Sequence, residues 1–372
     1  MKVAILGAAG MQGRAVFRDL CAQDDVEEII LADIKNDEIN KMLSTDTKKI
    51  LRGFWGPWSA QTALKEADVA ISCLPYSSNY AATKMAIQHG CHLVDLGGSN
   101  EVVSAQRELY ADAREAGLTI IPDCGLAPGI PSILAVDAIS RLGLLQNVEI
   151  FCGGLPQQRF KDSKLNYALM FSAEGLINEY LQTATILKNG YQEYVETLSS
   201  PEHVYFDEFG AFEADITSGG LSTIPETLDE CIQNASYKTL RYLGHFDVFR
   251  KLKMSGLLND KRFKQDLIAV LERTLPRDVP DIVLFRMDAT TKLEETLRYE
   301  FVLRAKDGLS AMAQATGFSA STVALMIGRG DIDMSGVVMG EDAVVPTKFI
   351  SEMKKKGIDL NGHKYVENST HF

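Results

Sequence analysis

The chain has 372 residues, 46% of them hydrophobic, and carries 50 acidic against 38 basic side chains for a formal charge of −12. That length predicts two or three domains of about 100 to 200 residues each, and the acidity disfavours nucleic acid and anionic membranes, leaving a small molecule as the expected partner. No apolar run reaches the roughly 18 residues of a membrane span, and the first residues enter a core strand with no basic-then-apolar leader, so a cytoplasmic location is expected.

In chain order, an apolar strand over Lys2–Leu6 runs into Gly7, Ala8, Ala9, Gly10, Met11, Gln12 and Gly13, then a helix over 13–23. Glycines there let the backbone turn sharply and approach a pyrophosphate while the helix points its N–H groups at it. Asp33 ends the next apolar run, about twenty residues on, where a carboxylate accepts ribose hydroxyls and repels a 2′-phosphate. NAD is the expected cofactor, with NADP possible because Lys35 follows closely. Ile34 belongs to the same expected cofactor site, as do Ala9, Met11 and Gln12. Strand candidates at 3–6, 28–32, 69–74, 92–96 and 118–122 alternate with helical patterns, which predicts a doubly wound parallel sheet. Its ligands sit at the carboxyl ends of the strands. That selects Cys73, Leu74 and Pro75; Gly97 with Gly98; and the 123–129 turn carrying Asp123, Cys124 and Gly125. A helix over 131–142 follows.

From about residue 145 the texture changes to strands with two-residue alternation, at 281–288 and 296–305, predicting an antiparallel sheet with helices on one side. Helices are expected at 173–181, 223–233, 245–255 and 261–274, and again at 310–329 and 347–356. The expected architecture is α/β: a Rossmann-type domain over 1–143, an α+β catalytic and dimerisation domain over 144–308, and a segment over 309–372 whose helices return to the first domain. Residues 172–230 hold twelve carboxylates and one cation, Lys188, a surface that would draw a cationic substrate or simply be solvated. Thr217, Ser218 and Gly219 precede a helix and could cradle a carboxylate or act as a cap. Arg241 suits a substrate carboxylate, with a surface ion pair as the alternative. His245, at a helix start, reads as a base or a cap. Tyr167 and Glu174 flank a strand-to-helix corner and could add a hydroxyl and a carboxylate. His89, His92, His363 and His371 carry no context. The six cysteines, Cys21, Cys73, Cys91, Cys124, Cys152 and Cys231, lack C-x-x-C spacing and read as reduced thiols, with neither disulfide nor metal site expected.

Taken together, GAAGMQG, ISCLPYSSN, VDLGG, IIPDCGLAPGIPSIL, FSAEGLINEY, TSGGLSTIPETL, YKTLRYLGH and ATGFSASTVALMIGRGDI resemble the saccharopine dehydrogenase and lysine 6-dehydrogenase family over nearly the whole chain. PDCGLAPG, TSGGLST and the YKTLRY-x-GH run point to its lysine 6-dehydrogenase branch. The resemblance implies oxidation of the ε-amine of L-lysine to aminoadipate semialdehyde and ammonia, with hydride passing to NAD. It puts the 123–129 loop beside the nicotinamide and Arg241 near a substrate carboxylate. A base must accept protons, and Asp123, Glu174 and His245 are the candidates. The rival is a saccharopine dehydrogenase, whose tricarboxylate substrate would want several cations, with Arg159, Lys161 and Lys164 available; a non-catalytic NAD-binding protein is the third reading. A sheet with one uncovered face predicts a homodimer or a higher assembly.

Overall fold

The structure, a computed structural model, describes residues 1–160, 163 and 165–365; Lys161, Lys164 and His371 lie outside the described residues. Two compact units form, Met1–Ile133 with Ala313–Asp359, and Leu134–Met312 with Leu360–Phe372.

The first unit carries a seven-stranded sheet in the order Gly336–Val337, Thr119–Ile121, His92–Asp95, Val69–Ser72, Lys2–Leu6, Glu28–Asp33, Ile50–Trp55. Every pairing is parallel. Helices cover both faces, so the strands read as continuous apolar runs, and Val3, Ile5, Ile29, Leu31 and Ile71 are fully buried. Lys2–Leu6 lies between the second and fourth strands, which places the switch in strand order, and hence the ligand crevice, at Gly7 and Cys73. The Rossmann reading holds. Ile50–Trp55 was not anticipated; as an edge strand it is only half-buried, and its Gly53 and flanking Gly56 look like turn residues. The first helix begins at Met11 rather than 13, because Gly10 already stands as its N-cap.

From Ala313 on, the Ala311–Gly328 helix packs against the Met11–Cys21 helix, with Gly317 facing Ala15 and Val16. The buried Asp19 carboxylate on that first helix takes the Ser321 hydroxyl and, at 2.6 Å, the Lys356 ammonium. The C-terminal helices thus return to the Rossmann domain as expected, and the two-residue strand Gly336–Val337 extends its sheet.

The second unit is built on a nine-stranded sheet whose main path runs Glu202–Phe206, Gly210–Ile216, Ile232–Arg241, Leu145–Pro156, Asp281–Thr290, Thr296–Arg304, His363–Tyr365. Ala184–Lys188 and Tyr191–Val195 branch from Ile232–Arg241. The sheet is mixed, which corrects the antiparallel expectation: Ile232–Arg241 runs parallel to Leu145–Pro156, from Ile232↔Leu145 to Thr239↔Cys152. The long stretch of chain between those strands makes the crossover possible. The helix expected over 223–233 is a single turn, Ile224–Thr227, because Ile232 and Gln233 are taken into that strand, where Ile232 is fully buried. One apolar cluster forms on the sheet around Phe151, Phe206, Phe212, Leu240 and Leu284. Another joins the Ala173–Leu181, His245–Met254 and Lys261–Thr274 helices around Ile177, Tyr180, Phe246, Phe249 and Leu271.

Candidate cofactor and substrate sites

In the first unit the glycine loop closes on itself and on the second strand. Gly7 N–H donates to Ala32 O at 2.8 Å and Gly10 N–H to Gly7 O at 3.1 Å. Gly7 is left-handed, with φ +79°, and a Cβ there would meet Cys73 O at 2.8 Å; one on Gly13 would overlap Gly7 O and the Ala8 backbone. Neither obstacle can move, so glycine is obligatory at both positions. Gly10, the N-cap of the Met11–Cys21 helix, has no side chain to cap it, and the start of a helix favours an anion. The Gln12 carboxamide oxygen is buried without a hydrogen-bond partner, an acceptor that the hydroxyls or amide of a dinucleotide would satisfy. These features fit a dinucleotide, whose nicotinamide would supply the hydride acceptor.

Asp33 is turned inward more than the sequence suggests: its Oδ2 accepts Ala9 N–H at 2.9 Å and its Oδ1 accepts Lys35 N–H at 3.0 Å. Each oxygen keeps a lone pair for a ribose hydroxyl. Ile34 beside it is 77% exposed. Cys73, Leu74 and Pro75 follow the Val69–Ser72 strand, and burial pushes the Cys73 thiol up to about 12, so it stays protonated.

Gly97 and Asp123 are held together by Asp95, a strand-end residue beside Gly97 to which the sequence assigns no role. The buried Asp95 carboxylate accepts Gly97 N–H at 2.8 Å and Asp123 N–H at 3.3 Å through Oδ1, and the Gln106 amide at 2.7 Å through Oδ2. Burial raises its pKa, and those three donors oppose the rise. Gly97 and Asp123 both adopt left-handed backbone, with φ +71° and +58°, and a Cβ on Gly97 would overlap the Asp123 carboxylate. Asp123 and Gly97 are therefore brought together at adjacent strand ends, and Gly125 follows one residue past Cys124, whose N–H donates to Asp95 O at 2.8 Å. An apolar strand ending in aspartate was the signal available in the sequence.

In the second unit Arg241, 3% exposed at the end of Ile232–Arg241, is the centre of a buried polar cluster. Its Nε donates to the Tyr180 hydroxyl at 2.9 Å, Nη1 to Leu240 O at 3.0 Å, and Nη2 reaches Glu179 Oε2 at 3.3 Å, while the guanidinium lies 5.0 Å from the Tyr167 ring centre. Tyr167 thus lies beside Arg241; its hydroxyl meets no group with hydrogen-bond geometry, although the Met170 backbone is near enough to temper the rise that burial gives its pKa.

His245 Nδ1 lies 2.8 Å from Leu165 O and its Nε2 2.9 Å from the Tyr180 hydroxyl. A carbonyl only accepts, so Nδ1 carries the proton and Nε2 accepts from Tyr180. Burial first, then the Arg241 charge, pushes His245 down to about 3. With both nitrogens engaged and the ring 1% exposed, His245 orients Tyr180 and has no lone pair for a substrate proton. That removes it from the candidate bases.

Glu174 is also corrected. It is exposed in the first turn of Ala173–Leu181, whose N-cap is Ser172, and the carboxylate facing Arg241 is Glu179 further along that helix. Burial among protein groups raises Glu179 to about 7 despite the arginine, while 29% of its side chain stays open to solvent. In the expected cradle at Thr217, Ser218 and Gly219, both side-chain hydroxyls and the Ser218 N–H are already engaged. The Thr217 hydroxyl pairs with that of Thr239 at 2.6 Å, and Ser218 donates its N–H to Glu179 O at 3.0 Å and its hydroxyl to Asn178 O at 3.3 Å. Gly219, at φ +91°, makes the turn. The segment thus fixes Glu179 beside Arg241.

About half of the acidic stretch is paired as well. Glu193 meets Lys188, Glu202 meets Lys238, Asp215 meets Arg250, and Glu213 caps the His245–Met254 helix through Gly244 and Phe246 N–H. A recess of about 390 Å³ lies among Glu202, His203, Glu213, Phe246 and Asp247, none of which belongs to the Arg241 cluster. Arg159 stacks 4.8 Å from the Tyr242 ring centre. Among the described residues no cluster of metal-ligating side chains forms and no helix is long and apolar enough to cross a membrane.

Residues 3–121 match the saccharopine dehydrogenase NADP binding domain and residues 125–358 the saccharopine dehydrogenase C-terminal domain. Mitochondrial alpha-aminoadipic semialdehyde synthase of Rattus norvegicus is 28% identical over 195 residues, covering 51% of this chain and 20% of that protein. Saccharopine dehydrogenase [NADP(+), L-glutamate-forming] of Saccharomyces cerevisiae is 28% identical over 271 residues, covering 70% of this chain and 59% of that one. The chain therefore spans between a fifth and three fifths of the length of these relatives. In fold it is similar to the solved yeast L-Glu-forming saccharopine dehydrogenase, with a TM-score of 0.77 at 19% identity over 98% of this chain and 100% of that one. Homospermidine synthase of Legionella pneumophila, solved with NAD, gives 0.72 at 14% identity over 100% and 94%. A glycine cradle opening a parallel sheet, followed by a mixed-sheet unit centred on a buried arginine, is thus matched along almost the whole length, and the chain belongs to the saccharopine dehydrogenase family.

Proposed function

We propose that this protein is an NAD-dependent dehydrogenase, able to take NADP less well, that oxidises the ε-amine of L-lysine to 2-aminoadipate 6-semialdehyde and releases ammonia. The observation that carries the substrate choice is the charge balance around Arg241: one guanidinium faced by one carboxylate, Glu179. A substrate with one carboxylate and one terminal amine matches it, because the substrate carboxylate can replace Glu179 on Arg241 while Glu179 receives a proton. Three carboxylates, as in saccharopine, would call for more cations than the described cluster holds.

Amine oxidation needs the neutral amine, since an ammonium has no lone pair to expel hydride, and water must then lose protons as the imine is hydrolysed. Asp123 and Glu179 are the proposed proton acceptors, Glu179 because it titrates near neutrality. In this reading Gly7, Ala9, Gly10, Met11, Gln12, Gly13, Asp33, Ile34, Cys73, Leu74, Pro75, Gly97 and Gly125 bind the cofactor, Gly98 and the Thr217–Ser218–Gly219 turn border the substrate, and Tyr167 lies beside Arg241. A cytoplasmic homodimer or higher assembly completes the proposal, supported by the free cysteines and by exposed Tyr191, Tyr194, Tyr205 and Leu293 on the second unit.

The family supports a second substrate, saccharopine, since the relatives above carry that name. Absorbance of reduced nicotinamide, recorded with NAD or NADP and either amino acid, decides. Reduction with L-lysine and release of ammonia is expected. Turnover with saccharopine alone, releasing glutamate, would replace the lysine reading, and no turnover with either would remove both.

A further inference from the structure

Beyond Asp33, the turn that would face the adenosine ribose is governed by a residue that no sequence signal singled out. Arg14, in the first turn of the Met11–Cys21 helix, donates through Nε to Ala9 O at 3.2 Å, so it lies against the same loop residue whose N–H is held by Asp33. Its Nη2 is paired with Glu38 Oε2 at 2.8 Å. Glu38 stands in the first turn of the Asn36–Leu43 helix, immediately after the Asp33–Lys35 turn, and its other oxygen takes the Lys41 ammonium at 2.8 Å. The Lys41 hydrogen bond first, with the charges of Lys41, Arg14 and Lys35 behind it, holds this carboxylate below its usual range, so it is ionised at neutral pH. Ile34, the residue between Asp33 and Lys35, offers no polar side chain.

A dinucleotide whose pyrophosphate sits on the glycine loop sets its adenosine ribose at the end of the second strand, where a nearby arginine is the usual means of accepting a 2′-phosphate. Here that arginine exists and is already neutralised. An uncharged 2′-hydroxyl loses nothing by this, whereas a 2′-phosphate would meet the Asp33 and Glu38 carboxylates with Arg14 and Lys41 both turned onto Glu38, leaving Lys35 to offset Asp33. We infer that Glu38 is a positioning residue for cofactor choice: by clamping Arg14 it makes the site prefer NAD, and its removal turns Arg14 into a ligand for the 2′-phosphate of NADP. The inference rests on the dinucleotide site and is independent of which amine is oxidised.

The test is equilibrium binding of NADH and NADPH to the 372-residue chain, followed by nicotinamide fluorescence at low salt, for wild type, Glu38→Gln, and Arg14→Met combined with Glu38→Gln. Wild type is expected to bind NADH more tightly. The single variant should gain about tenfold in NADPH affinity with NADH changed less than about twofold, a gain that salt weakens, and the double variant should lose it. An unchanged NADPH-to-NADH ratio in Glu38→Gln, or a gain that survives removal of Arg14, overturns the inference. Tighter binding of NADPH by wild type overturns it as well. Failure of wild type to bind either nucleotide removes the dinucleotide site itself, a result distinguishable from the other three.

Discussion

Two groups of one cluster, His245 and Glu179, titrate in opposite senses, and the stability of the second unit should show it. His245 falls to about 3 in the folded chain, against about 6.5 in the unfolded one. As pH drops below about 6.5 the unfolded state takes up a proton that the folded state refuses, so stability is lost from there down to about 3. At pH 5 that loss is about 2 kcal/mol. Glu179 is raised to about 7, against about 4.3 unfolded. Its contribution is fully present below about 4.3 and is lost as pH rises through about 7. Full burial would make it about 2.5 kcal/mol at pH 5, but 29% of the side chain is open to solvent, and screening reduces the expected gain to about 1 kcal/mol. Between pH 7.5 and 5 the pair therefore nets a loss of about 1 kcal/mol. Relative to wild type over that interval, His245→Gln should retain about 2 kcal/mol more and Glu179→Gln about 1 kcal/mol less. The assay is urea unfolding at the two pH values. Trp55 and Trp58 both lie in the first unit, so tryptophan fluorescence follows that unit alone, and far-ultraviolet circular dichroism is needed to see the second. If His245→Gln loses as much stability as wild type between the two pH values, the hydrogen-bond directions assigned to His245 are wrong.

Three further outcomes follow from single contacts. Gly13→Ala should weaken NADH binding by more than about tenfold, because its Cβ has only backbone of Gly7 and Ala8 to displace; a fluorescence titration indistinguishable from wild type would contradict the cradle. Arg241→Leu leaves Glu179 and the Tyr180 hydroxyl without their cation, so KM for L-lysine should rise about a hundredfold, with a smaller effect on NADH affinity; an unchanged KM would take Arg241 out of substrate binding. Lys356→Met strands the buried Asp19 carboxylate with neutral donors alone, the Ser321 hydroxyl and the Gln23 amide, and should cost about 3 to 5 kcal/mol, lowering the melting temperature by about 10 °C. Asp19→Leu combined with Lys356→Met should recover most of that loss, and failure to recover it would mean the ion pair is not what holds Lys356.

How far the sequence could be read depends on whether the determining contact is local. Gly7, Gly10, Gly13 and Asp33 lie within one strand-helix-strand unit, where spacing alone encodes geometry, and the structure brings them together as expected. The parallel strands were legible for a similar reason: burial on both faces makes them continuous apolar runs. Ile50–Trp55 was lost because an edge strand needs only one packed face, and its alternating Ile50, Arg52 and Phe54 resemble a loop when Gly53 and Gly56 interrupt them. In the second unit the chemistry depends on partners far apart in sequence. Arg241 was legible as a cation in a distinctive motif, yet its carboxylate could be chosen only by the twist of the Ala173–Leu181 helix, which turns Glu179 inward and leaves Glu174 in solvent. Five residues separate the two, which on a helix is more than a full turn, and nothing in residues 172–181 says which faces a strand ending at 241. His245 shows the same limit from the other side. A histidine after a glycine at a helix start is compatible with a base, a cap or a strut, and the choice was made by Leu165 O and the Tyr180 hydroxyl, 80 and 65 residues away. Since the Leu165 carbonyl fixes the proton on Nδ1, the ring can only accept from Tyr180, and the polarity of the whole chain from Leu165 through His245 and Tyr180 to Arg241 follows from one carbonyl.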